Sequence, residues 1–172
     1  MRMMTAMMTA MTAMTAMTAG AMLSGCATTT GAGRPVAIER EAITYETAPC
    51  FGTCPVYAVT VQPDGSGVFE GKRHTAVSGT RAFTASPDAY RAFAAALGPY
   101  RPVGERLVQP GTPDCRNAPT DMPSVDVRWS ELSGAAHHLS FYRGCGQGNE
   151  AMAAALASAP DLLPIAGFIG KR

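Results

Sequence analysis

The sequence predicts an α+β fold: an antiparallel β-sheet with helices packed on one face, in a single small domain stapled by disulfides. Three observations predict it. Apolar and polar residues alternate with period two in runs separated by turn residues. Helical stretches follow those runs, and one of them carries start and stop signals at both ends. Four cysteines, Cys50, Cys54, Cys115 and Cys145, fall in the same part of the chain.

The first strand is Ile43-Thr44-Tyr45-Glu46-Thr47, which alternates cleanly. Pro49-Cys50-Phe51-Gly52-Thr53-Cys54-Pro55 is a turn bracketed by prolines. Residues 56–61 are rich in β-branched side chains, with Tyr57, Val59 and Val61 on one face. At Pro63-Asp64-Gly65, Pro presets φ, Asp bonds its own backbone and Gly accepts positive φ, so residues 56–71 form a hairpin. A further strand is expected over residues 72–77. Ser86 then caps a helix with Pro87 at its first position and Asp88 facing the positive end of the dipole. Tyr90, Phe93, Ala94 and Leu97 make its apolar stripe, and Gly98 and Pro99 end it. Residues 100–123 are expected to be a long irregular connection. Val125-Asp126-Val127-Arg128-Trp129 buries Val125, Val127 and Trp129. Residues 131–134 turn the chain, and residues 136–142 return with His137, Leu139 and Phe141 on one face. Asn149 caps a helix to about Ser158, Pro160 stops it, and residues 162–169 pack down as a short helix.

Ahead of this domain lies an address. Residues 1–25 are built largely from Met-Thr-Ala repeats behind Arg2, and read as a secretory leader too weakly apolar for a membrane span. Leu23-Ser24-Gly25-Cys26 reads as a lipobox, with Cys26 the acylated residue of a lipoprotein signal peptide. Ala27 resembles the outer-membrane sorting pattern of Gram-negative lipoproteins. The expected location is therefore the cell envelope, lipid-anchored to the outer membrane and facing the periplasm. Each buried acyl CH₂ contributes about 0.8 kcal/mol, and two or more chains make anchoring stable. Residues 26–35 are the lipidated N-terminus and a flexible tether, and residues 36–172 are the domain. The 172-residue chain has a formal charge of +1, with both signs interspersed. No basic cluster of the kind nucleic acid requires is visible. The expected partners are the membrane, through the anchor, and an envelope protein.

An even number of cysteines in an exported chain is a disulfide framework, and four cysteines allow three connectivities. Cys50 with Cys54 and Cys115 with Cys145 is preferred, because Cys115 and Cys145 flank the second strand pair and would pin its ends.

The run Pro49-Cys-Phe-Gly-Thr-Cys-Pro-Val-Tyr57, with Asp64-Gly65 and a strand ending at Gly71, resembles the bacterial domain of unknown function family DUF6438. The resemblance covers residues 43–97 most closely. It implies a shared fold and export, and it carries no catalytic residue and no cofactor to this chain.

Cys50-x3-Cys54-Pro55 also resembles the copper-binding motif of Sco-type chaperones, where thiolates pair with a distant histidine. That family places the motif at a helix start, whereas residues 56–61 here read as a strand. A structural disulfide is the preferred reading, with copper or thiol-redox work as the alternative. His137 and His138 point to opposite faces of a strand and do not form a ligand pair, and His74 is expected to be a solvated strand residue. Arg143-Gly144-Cys145-Gly146-Gln147-Gly148-Asn149 lacks the ending of a phosphate loop and reads as a bend around a disulfide. Neither a Gly-x-Ser-x-Gly elbow nor a His-Glu-x-x-His helix occurs. A hydrolase or inhibitor site on residues 100–123 has no motif behind it. The function expected is that of a non-enzymatic structural or protein-binding domain, without metal or cofactor.

Overall fold

Alternation along the strands decides which side of the sheet is buried. In a computed structural model describing residues 41–170, seven strands form one sheet: β1 (Glu41–Thr47), β2 (Val56–Val61), β3 (Ser66–Arg73), β4 (Gly79–Thr84), β5 (Glu105–Val108), β6 (Ser124–Glu131) and β7 (Ala136–Tyr142). The leader, Cys26 and the tether lie outside the described residues. Strand order is β4-β3-β2-β1-β6-β7-β5, antiparallel throughout except that β5 runs parallel to β7. The sheet is thus mixed, not purely antiparallel.

Register aligns the large apolar residues on a single face. Ile43 faces Val61 and Trp129, Tyr45 faces Val59 and Val127, and Val125 faces Phe141. All are buried, and three helices cover them: α1 (Pro87–Leu97), α2 (Glu150–Ser158) and α3 (Ala166–Ile169). Tyr90, Phe93 and Leu97 of α1 and Met152 and Leu156 of α2 close the core. An aromatic row, Tyr45, Tyr57, Phe69 and Phe168, runs across the sheet to α3 with ring centroids 5.4 to 6.2 Å apart. The Tyr45 hydroxyl donates to the Leu156 carbonyl at 2.8 Å, tying the row to α2.

The opposite face is polar. There the Thr44 and Thr60 hydroxyls meet at 2.9 Å, Lys72 reaches Glu46 at 2.6 Å, and His138 lies between Asp126 at 2.8 Å and Glu105 at 2.9 Å.

Ser86 caps α1 as expected, accepting from the Ala89 N–H at 3.1 Å. Gly98 does not stop the chain in a left-handed turn: it stays helical at φ −53°, and Gly98–Tyr100 continues as a 3₁₀ turn that accommodates Pro99. The strand expected over residues 72–77 is in fact split. β3 runs on to Arg73, His74 breaks the extended run at φ 56°, and β4 begins at Gly79. His74 is therefore an exposed turn residue. The intervening segment bonds elsewhere, with Ala76 N–H donating to Ile169 O at 3.1 Å and Val77 N–H to Phe168 O at 3.0 Å. The connection over residues 100–123 is less irregular than expected, since it contains β5.

Asn149 precedes α2 without capping it. Its side-chain amide donates instead to the Asp114 and Cys145 carbonyls, each at 2.9 Å. No helix among the described residues is long and apolar enough to cross a membrane.

Candidate functional site: the disulfide-capped rim

Where β1 ends and β2 begins, the residues 49–55 turn is closed by chemistry at its base and across its top. The Thr47 hydroxyl donates to Pro55 O at 2.8 Å and accepts from Tyr57 N–H at 3.1 Å. Above it Cys50 and Cys54 are bonded, with Cα atoms 5.8 Å apart. Gly52 sits at φ 144°, a conformation that side-chain-bearing residues rarely adopt. The turn is also pinned sideways, Ala48 N–H to Ser124 O at 2.9 Å and Phe51 N–H to Asp121 O at 3.2 Å.

This bracing leaves Phe51 90% exposed. Beside it lies a surface depression of about 450 Å³ lined by Cys50, Phe51, Cys54, Met122, Pro123 and Arg143. A smaller one of about 100 Å³ shares Cys54, Pro123 and Arg143 and reaches inward to Tyr45 and Tyr57. Arg143 is exposed and anchored by its backbone, its N–H donating to Pro123 O at 3.0 Å. Among the described residues its guanidinium has no ion-pair partner. The rim therefore presents an aromatic ring, a thioether, the Arg143 cation and the Asp121 carboxylate around a disulfide.

The second bridge, Cys115 to Cys145, is buried, with Cα atoms 5.2 Å apart. It joins the β5–β6 connection to the 3₁₀ turn Arg143–Cys145 that follows β7, so it does pin an end of the β6–β7 pair. The glycine-rich residues 143–149 bend around this bridge. Both preferred pairings are those in the structure. Cys50-x3-Cys54 stands in a loop ahead of strand β2, as its sequence implied, with its two sulfurs bonded to each other.

The two histidines diverge as strand geometry requires. His138 joins the carboxylates of the polar face. His137 accepts from Gly104 N–H at 3.0 Å and stands 3.7 Å from Glu131. Glu41, Glu131 and His137 come close enough to be considered as metal ligands. Arg101 occupies that cluster, however, ion-paired to Glu41 and, at 3.0 Å, to Glu131. A fixed guanidinium among the carboxylates opposes a second cation there. The Ser133 hydroxyl, then Arg101 and His137, holds the Glu131 carboxyl below its ordinary value.

The rim's cysteines are legible in the sequence, whereas Arg143 and Met122 as neighbours of Phe51 are not. They meet only because β7 ends beside the connection into β6, a contact with no local signature.

Residues 41–163 match the family model described as domain of unknown function DUF6438. The chain belongs to the DUF6438 family. The DUF6438 match takes in all seven strands, α1, α2 and both bridges, and ends just before α3. No curated protein matches the chain.

Proposed function

We propose that this DUF6438 protein is an acylated envelope lipoprotein whose domain binds another envelope protein through the rim and catalyses no reaction. Leu23-Ser24-Gly25-Cys26 carries the anchoring half of this reading. Two disulfides agree with an oxidising compartment. Support for the binding half is the placement of Phe51. A large ring held 90% exposed on a braced turn gains no burial from folding, and so is free to supply it on association. Met122 and Arg143, which has no ion-pair partner among the described residues, enlarge the same patch with residue types that interfaces favour. The rim lies at the Thr47 end of β1, the end opposite Glu41.

Intact-mass analysis of envelope material tests the anchor: a chain beginning at Cys26 with acyl additions is expected, and Cys26→Ala should abolish them. An uncut or unacylated chain would sink it. A photo-cross-linking residue in place of Phe51 should give one discrete protein adduct in the envelope, while the same residue at Leu132, exposed in the β6–β7 turn, should not. No adduct at Phe51, or the same adduct at both positions, would sink the binding reading.

A further inference from the structure

The sheet has two edges, and they are not protected equally. β5, at one edge, is four residues long and carries Glu105 and Arg106, engaged by His138 and Asp114. Shortness and charge are the usual means of keeping an edge from pairing with another chain. β4, at the other edge, is six residues of Gly-Thr-Arg-Ala-Phe-Thr, almost wholly exposed, with one charge and neither proline nor bulge.

Ladder geometry fixes which of its backbone groups are open. Ala85 N–H donates to Gly65 O at 2.8 Å. Alternation along an antiparallel pair then turns Phe83, Arg81 and Gly79 toward β3 and Thr80, Ala82 and Thr84 outward. Among the described residues, these outward groups meet one long contact, from Arg81 Nη1 to Thr80 O at 3.4 Å.

We infer that β4 pairs antiparallel with β4 of a second copy about a two-fold axis through Ala82, joining two sheets into one. This register is singled out by the strand itself. It sets Ala82 opposite Ala82 and each Thr80 opposite the partner's Thr84, so all three outward N–H and all three outward C=O groups of each strand are satisfied together. The non-hydrogen-bonded sites between them place Arg81 opposite the partner's Phe83, where side chains approach most closely and a guanidinium can lie over a ring. The one charge on the edge is thereby matched to an aromatic instead of to a like charge. Phe83 is already fixed for this role, since its ring packs where Gly67 lacks a side chain. The interface is small, so anchoring two copies in one membrane would strengthen it by raising their local concentration.

The test uses the full chain purified in detergent. Its mass is measured across a dilution series, and amide hydrogen exchange is followed residue by residue. A reversible dimer is expected, with slow exchange at Thr80, Ala82 and Thr84 that becomes fast on dilution. Ala82→Pro removes the central donor in a form edge strands tolerate, and Ala82→Lys places like charges across the axis. Each should raise the dimer Kd by about 30-fold or more while leaving exchange in β1 and β6 unchanged. A monomer at all concentrations, a dimer indifferent to Ala82→Lys, or slow exchange at these amides in a monomer would overturn the proposal. The last would assign the edge to another segment of the same chain.

Discussion

At the scale of single residues, the tightest constraints are steric. A Cβ at Gly71 would lie 1.8 Å from the Val77 carbonyl oxygen, and backbone held by α3 cannot move aside cheaply. Gly71→Ala should therefore destabilise the domain by about 1 to 3 kcal/mol, the usual cost of overpacking, as read from urea unfolding. Gly98→Ala is the control: a Cβ there meets nothing within 4 Å, and its φ of −53° suits any helical residue. It should leave stability unchanged or slightly raised. Equal losses at both glycines would remove steric crowding as the cause.

At the scale of elements, the two bridges differ in what they constrain. Cys115 and Cys145 are 30 residues apart and close a loop around β6 and β7, whereas Cys50 and Cys54 are only 4 apart. Replacing Cys115 and Cys145 together with alanine should cost about 3 to 4.7 kcal/mol in the chain-entropy model, and the Cys50/Cys54 double variant distinctly less. Comparing urea midpoints of the two double variants at unchanged slope checks the order, and a larger loss from the short loop would refute it. Elements also show how far the sequence could be read. β1, β2, β6 and β7 were legible because alternation repeats over several residues, and α1 because Ser86 and Pro87 announce its start. β5 was not. Glu105-Arg106-Leu107-Val108 is too short to show a period, and its parallel partner lies some thirty residues away. The Asn149 cap failed for a related reason. Its side chain has two carbonyls to serve across a disulfide, and tertiary contacts outrank local capping preference. In the candidate site, the cysteine turn was visible in the sequence and its neighbours were not, because only packing sets Arg143 and Met122 beside Phe51.

At the scale of the whole molecule, a few surface charges couple stability to pH. Hydrogen bonds from Ser66 hold Asp64 below its ordinary value, the Gly148 N–H does so for Glu150, and the Ser133 hydroxyl does so for Glu131. A carboxyl depressed in the folded state adds stability above its unfolded value, and that gain is lost as pH falls through the lower folded one. Lys72 is raised by its bond to Glu46, so its contribution is present below 10.5 and lost as pH rises past it. The contribution of these four groups should hold level between these limits and decline beyond either. Glu131→Gln should lower stability at neutral pH and converge on the parent as pH drops below 4.5. Chemical unfolding at a series of pH values checks this, and a difference that persists in acid would contradict it.

One feature of the topology bears on biogenesis. Of the described strands β1 is the first to be synthesised, yet it sits in the interior of the sheet, between β2 and β6. Its hairpin mate follows at once, whereas β6 begins only at Ser124. A chain arriving N-terminus first must hold half of its central ladder unzipped until most of the polypeptide has been delivered. A product truncated before Ser124 would keep that flank open for good.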